Sequence, residues 1–216
     1  VNKKQATTRW SPEQTAEFQE QLAAITGKRN LHKKDRAFPS SPFGKTEDGY
    51  ADFRGVALTE AMEYLTLERV DLSYAQFLDA ATLRSSTLSH CLLQGIKLSN
   101  RFVTRQFDHC SFRQSNLSQA RLGERFVDCD FTSSNLSKTV ARDVSFVRCR
   151  FNDAKLRGAM LMHCVFEDCS FEGSVLGGGS FYGSRFVGES DALPDWGGTD
   201  TIVDGVKLNG VPLAQL

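Results

Sequence analysis

From Phe126 onward a large apolar residue returns at every fifth position. The series is Phe126, Phe131, Leu136, Ala141, Phe146, Phe151, Leu156, Leu161, Phe166, Phe171, Leu176, Phe181 and Phe186, and only Ala141 departs from Leu or Phe. Call this position i. Two residues earlier stands a mostly small residue, as in Cys129, Ser134, Thr139, Ala154, Ala159 and Ser174. The same pattern runs upstream from Leu122 to Leu67, slipping by one residue near 78–83, 98–107 and 122–126. Self-similarity of this kind decides the architecture before any local propensity does.

A period of five matches neither a helix, at about 3.6, nor a plain strand, at about 2. It fits a strand that bends once per repeat. Alternation turns i−2 and i inward and i−1 outward. Positions i+1 and i+2 are then both outward, which demands a corner. A longer period gives the number of sides. Phe107, Phe126, Phe146, Phe166 and Phe186 lie four repeats apart, and so do Phe112, Phe131, Phe151 and Phe171. Four sides of about five residues, stacked at about 4.8 Å, predict an all-β square solenoid of about six coils between Leu67 and Phe186. The Phe bias of the composition, 16 against 4 Tyr and 2 Trp, fills its interior.

Ser115-Asn116-Leu117-Ser118, Ser134-Asn135-Leu136-Ser137 and Ala154-Lys155-Leu156-Arg157 resemble the A(D/N)LXX unit of pentapeptide-repeat proteins, and Ala51-Asp52-Phe53-Arg54-Gly55 looks like an early copy. The resemblance covers more than half of the chain. It implies a right-handed quadrilateral β-helix, a handedness that spacing alone does not give. The family is mostly of unknown function, and one branch protects bacterial topoisomerases (gyrase) from quinolones by imitating duplex DNA.

The chain divides into an N-terminal extension (1–50), the solenoid (51–186) and a C-terminal cap or tail (187–216). Ser11-Pro12-Glu13-Gln14 reads as an N-cap, a Pro at N1 and a capping-box Gln. Phe18, Leu22 and Ile25 follow at helical spacing and Gly27 closes a helix over about 12–26. Its apolar stripe can cover the open top of the solenoid. Lys28, Arg29, His32, Lys33, Lys34 and Arg36 form a basic run, read as a solvated connector, with contact to nucleic acid or an acidic partner as the alternative. Past Phe186, Asp204-Gly205 and Asn209-Gly210 among apolar residues suggest hairpin-like strands capping the lower end.

Chemistry-bearing residues are few. Gly44-Lys45-Thr46 lacks the upstream glycine of a phosphate-binding loop. Gly177-Gly178-Gly179 falls in the repeat register, as flexible corner backbone. All six cysteines, Cys91, Cys110, Cys129, Cys149, Cys164 and Cys169, occupy i−2, and all but Cys164 form one ladder. Stacked thiols at that spacing are within bridging range, yet small-residue core packing explains them as well, and reduced thiols imply a cytoplasmic home. His90, His109, Asp128, Arg148 and Asp168 share an outward corner column. It can be read as a metal site or as a ladder of alternating charge, and a convex corner favours the second. Val127, Val147 and Val187 share one outward column, and Met162 and Tyr182 share another beside Met160.

Lys plus Arg equals Asp plus Glu at 26 each, which gives no global attraction to nucleic acid or to an anionic membrane. No apolar run reaches the ~20 residues of a membrane span. The first residues open no signal-peptide core, though the lack of an initiator Met leaves a removed leader open. With no nucleophile–base pair, no phosphate loop and no metal motif, neither an enzyme nor a cofactor is expected. The expected role is a module binding a protein partner, with a homodimer possible, through Val127, Val147, Met160, Met162, Tyr182, His109, Asp128 and Arg148. Topoisomerase protection and a toxin-neutralising or effector-type role are the alternatives. Between Leu67 and Phe186 stand 15 Lys and Arg against 12 Asp and Glu, the wrong balance for a DNA mimic.

Overall fold

The computed structural model describes residues 2–27, 30, 37–78, 81–188, 193–196 and 200–215. The basic run of 28–36 thus lies outside the described residues, apart from Asn30. The chain forms a right-handed square β-solenoid of about 7 turns. The count exceeds the expected six because stacking extends beyond both ends of the regular pentads. Asp52 pairs in parallel with Asp71 at the top, and Phe186 with Leu208 at the bottom.

The backbone shows why the fifth residue turns. Position i+2 is left-handed throughout the regular coils: φ is 50° at Asp128, 56° at Ser133, 56° at Lys138 and 56° at Asp143. An L residue pays about 1–2 kcal/mol for that conformation. The cost is offset because each corner aligns the next side for parallel hydrogen bonding. Phe131 N–H donates to Arg150 O at 2.7 Å and Asp130 N–H donates to Cys110 O at 3.0 Å, one coil below and one coil above.

Stacking in register converts the sequence columns into ladders of side chains. Phe107, Phe126, Phe146, Phe166 and Phe186 lie ring over ring at 4.9, 5.2, 5.1 and 4.8 Å, with interplanar angles of at most 17°. Phe112, Phe131, Phe151 and Phe171 form a second ladder at 5.0, 5.0 and 4.8 Å. The ladders meet edge to face, as Phe146 does Phe151 at 5.4 Å, which suits the ring quadrupoles. The interior is therefore filled and dry.

The slips have a clear form. Strands β1 (Leu83–Ser89), β2 (Phe102–Asp108) and β3 (Arg121–Val127) run seven residues each, through a corner. In β2 and β3 only four residues separate successive inward positions, Val103 to Phe107 and Leu122 to Phe126. The inward i−2 residue is missing there. The two strands pair without interruption from Phe102↔Arg121 to Asp108↔Val127, whereas β1, which keeps the residue as Ser86, needs a register shift against β2.

Both open ends are covered. Helix α2, Pro12–Ile25, has the expected Ser11/Gln14 capping box, and it buries Phe18 and Leu22 over the first coil. Phe18 lies 4.9 Å from Phe53, within a cluster completed by Trp10, Phe38 and Phe43. A further helix, α1 (Lys3–Thr8), escaped the sequence reading although Asn2 and Gln5 form its capping box. It sits against the corner at Gly55, where a Cβ would come within 2.1 Å of Ala6 O. At the lower end Lys207–Leu208 and Val211–Pro212 form the expected antiparallel hairpin, through Asn209 and Gly210 at φ 48° and 84°. Asp204-Gly205, by contrast, is another coil corner, because Ile202 pairs in parallel with Ser180. Trp196 closes the base against Phe181 at 4.8 Å.

An ion cluster fastens the N-terminal segment. Arg9 and Arg54 both grip Asp52, at 2.5 and 2.6 Å, and Arg54 also reaches Asp71 at 3.6 Å. Burial alone would raise the Asp52 carboxyl, but hydrogen bonds from Arg54 and Arg9 outweigh it and hold it well below the usual range. Burial raises Asp71.

Two outcomes are expected. Phe146→Ala removes a ring from the middle of its ladder, and chemical denaturation should show a loss of about 3–5 kcal/mol. Asp52, depressed in the folded state, contributes stability above its unfolded pKa of about 4 and loses it as pH falls through the lower folded value. Hydrogen exchange on acidification should therefore show residues 2–27 losing protection before the Phe ladders do.

Candidate interaction surface

The outward columns are where the rod can meet anything. Four regular sides expose i−1 and i+1 on their flats and i+2 on their corners, so the sequence fixes which residues share a face. Met160 pairs with Val140 and Ser180, and Ser180 pairs with Ile202, in one i−1 column. Met162 and Tyr182 stand in the i+1 column of the same side. Met160, Tyr182 and Ile202 are 42, 45 and 55% exposed, which is unusual for large apolar side chains on successive coils. His163 meets the Tyr182 ring edge to face at 5.3 Å. Ile202 was missed from the sequence because the last coil is separated from Phe186 by a long insertion. Phe102, at the top of the same column and 39% exposed, was missed because its repeat adjoins a slip.

The valine column is less continuous than its spacing implies. Val187 is exposed and Val127 half-buried, but Val147 is only 4% exposed. It is stacked at strand spacing between Val127 and Glu167, whose side chains flank it. Val147 therefore supports its neighbours and offers a partner no surface.

On the next corner the structure brings His109, Asp128 and Arg148 together. Arg148 forks onto Asp128 through Nε and an Nη atom at 2.8 and 2.7 Å. These hydrogen bonds lower the Asp128 carboxyl and raise the Arg148 guanidinium. His109 Nδ1 lies 2.9 Å from Asp108, its Nε2 lies 3.6 Å from Asp128, and its ring stacks on His90 at 4.6 Å. Asp108, His109 and Asp128 are close enough to share a cation, but Arg148 already occupies the Asp128 carboxylate and His109 is half exposed. Alternating charge along the corner accounts for the Asp128–Arg148 step. Asp168 makes no hydrogen bond to Arg148 among the described residues.

The cysteine ladder faces inward. All six thiols are free and buried. Each donates to main-chain carbonyls, as Cys129 does to Val127 O at 3.3 Å and Phe107 O at 3.5 Å. Burial pushes Cys164 up to about 12, and hydrogen bonding to Cys110 together with burial raises Cys91. Thiols buried in this way are out of reach of solvent and of electrophiles. Gly178 N–H is accepted by the Asp200 carboxylate, which makes Gly177-Gly178 a corner tied to the last coil. The hollows on the surface are shallow. One of 360 Å³ lies between α1 and the second coil, bordered by Lys3, Tyr74, Phe77 and Lys97.

A family model described as pentapeptide repeats matches 8 copies over residues 125–161 and 149–188. No curated protein matches the chain. Among solved structures, a trypsin-treated form of QnrB1, a plasmid-mediated fluoroquinolone resistance protein, superposes with a TM-score of 0.57 at 17% identity, over 74% of this chain and 79% of that one. Full-length QnrB1 covers 67% of this chain and 91% of its own at 16% identity and a TM-score of 0.37. HetL, involved in heterocyst differentiation regulation in the cyanobacterium Nostoc sp. strain PCC 7120, covers 85 and 93% at 19% identity and a TM-score of 0.28. At such identities the likeness to the first concerns the fold alone. No helix among the described residues is long and apolar enough to cross a membrane. The pentads, their left-handed corners and the four-sided stack, together with the family match over 125–188, show that this chain carries pentapeptide repeats folded as a β-solenoid.

Proposed function

We propose that the protein is a non-enzymatic interaction module that docks a protein partner on the side bearing Met160, Met162, Tyr182 and Ile202. One observation carries this reading: large apolar side chains stand exposed on successive coils of a single flat face, where polar residues would cost nothing. The shape supports it. Among the described residues the interior is packed with side chains and the corners are convex, which favours docking on a flat over chemistry in a water-excluding site. A rigid flat face, in contrast, loses little conformational entropy on docking. The buried thiol ladder suits a reducing compartment, and we place the protein in the cytoplasm on that basis. His109, Asp128 and Arg148 stand one side further round, at the far corner of the adjacent side that bears Val127, and would extend the surface with polar groups.

Imitation of DNA against a topoisomerase is the reading opposed by charge. Duplex DNA carries about one negative charge per 1.7 Å, whereas the solenoid is slightly basic, with 15 Lys and Arg against 12 Asp and Glu.

Met160→Asp combined with Tyr182→Asp leaves the interior untouched. Affinity capture from the native host, compared between wild type and this variant, should show specific proteins lost with the variant; identical captures would remove the face from consideration. A second copy of the chain as the occupant would appear as a dimer in sedimentation that the same variant dissociates. In a gyrase supercoiling assay with a quinolone the protein is expected to give no protection, and protection would reverse the ranking of the two readings.

A further inference from the structure

Upstream of the apolar patch, the same side carries a second and chemically different surface. Arg101 lies just before β2 and Arg105 in its middle, and Arg121 and Arg125 lie at the start and past the middle of β3. The uninterrupted pairing of β2 with β3 places the two rows about 4.8 Å apart. Arg84 adds a fifth guanidinium from the coil above, lying 5.5 Å from the centroid of the Phe102 ring, while Arg121 approaches the same ring at 5.4 Å. None of the five forms an ion pair among the described residues, unlike Arg9, Arg54, Arg113, Arg148 and Arg150. One acid, Glu124, stands within the grid, in register with Arg105.

Two features of this grid act against stability. Arg101 occupies an i−2 position that its neighbours fill with the small residues Ala81, Ala120 and Ala159. Arg105 holds φ at 103°, outside the tight range of 48–67° found at the other non-glycine corners. The two coils that lack an inward residue are also the two that carry the four arginines. Both shortened corners run within continuous strands, and Arg105, Arg121 and Arg125 are exposed along them.

We infer that this face binds a carboxylate-rich segment of a protein partner, with Arg105, Arg121 and Arg125 as the principal contacts. The inference rests on the interaction role proposed above and names the chemistry of the partner. Guanidinium forks match carboxylates two bonds at a time, and Arg outnumbers Lys by 12 to 3 between Leu67 and Phe186. Single-stranded nucleic acid fits less well. The Phe102 ring already lies near the Arg84 and Arg121 guanidiniums, at 5.5 and 5.4 Å, which compete with a base for its faces.

The test is fluorescence anisotropy of a labelled oligo-glutamate peptide with the full chain, alongside labelled single-stranded and duplex DNA. The peptide should bind at low salt and weaken as salt rises. Arg105→Glu with Arg121→Glu should weaken it about tenfold or more, while Lys155→Glu with Arg157→Glu, on another side, should leave it unchanged. Arg105→Gly guards against misfolding, because glycine accepts the local φ. It should keep the native circular dichroism and melting temperature and still bind the peptide more weakly. No binding of the peptide, equal loss in both charge-reversal variants, or tighter binding of either DNA would overturn the inference. A failed peptide assay beside a Met160/Tyr182 variant that still loses its captured proteins would sink this inference and leave the proposed function standing.

Discussion

Every other feature of the molecule depends on a left-handed residue at the second position after each inward Leu or Phe. That single conformation turns the strand through a corner, ends the alternation of side chains and returns the chain to its starting column after four sides. Twenty non-glycine residues among those described adopt positive φ, among them Asp128, Lys138 and His163. Each is unfavourable on its own. Collectively they are sustained because each corner commits the following residues to parallel hydrogen bonds above and below, and because the large side chains then stack at ring-contact distance. Local strain and long-range stacking are therefore two parts of one arrangement.

The same arrangement separates the roles of residues with unusual clarity. Inward positions hold Phe, Leu and small fillers, and six cysteines behave there as fillers that donate to the main chain. Outward positions are mostly polar, and some brace the corners, as Asn116, Asp130 and Asn135 do by accepting from backbone N–H groups, so large exposed apolar residues on the flats stand out. The apolar residues from Val140 to Ile202 and the arginines around Phe102 are such departures, and Phe102, Arg121, Val140, Met160 and Ile202 share one column of the prism.

Much of this was legible in the sequence because the repeat is periodic and its period is tied to geometry. The four-column pattern of Phe126, Phe146 and Phe166 predicts their stacking, and Ser11 with Gln14 predicts the start of the covering helix. Where reading failed, the periodic signal had failed first. Helix α1 is too short to show an apolar stripe, although Asn2 and Gln5 mark its start. Ile202 was hidden because an insertion separates its coil from Phe186. Val147 was misjudged because an outward direction is not the same as exposure: its neighbours in the column cover it. The single-residue slips were visible at 103–107 and 122–126, but the uninterrupted pairing of the two slipped strands was not, since that depends on two adjacent coils slipping at the same place.

Four-sidedness has a consequence for how such a rod can change in length. Adding or deleting one pentad rotates everything downstream by a quarter turn, so residues that had lined up along a face would be distributed over two. Adding a whole coil lengthens the rod and leaves all alignments intact. Shortening a pentad to a tetrad does neither: it still supplies one side and one corner, so the coils below keep their orientation while the face at that height is remodelled. Two such shortenings, one above the other, reshape the surface at one level without disturbing Met160, Tyr182 or Ile202 several coils away.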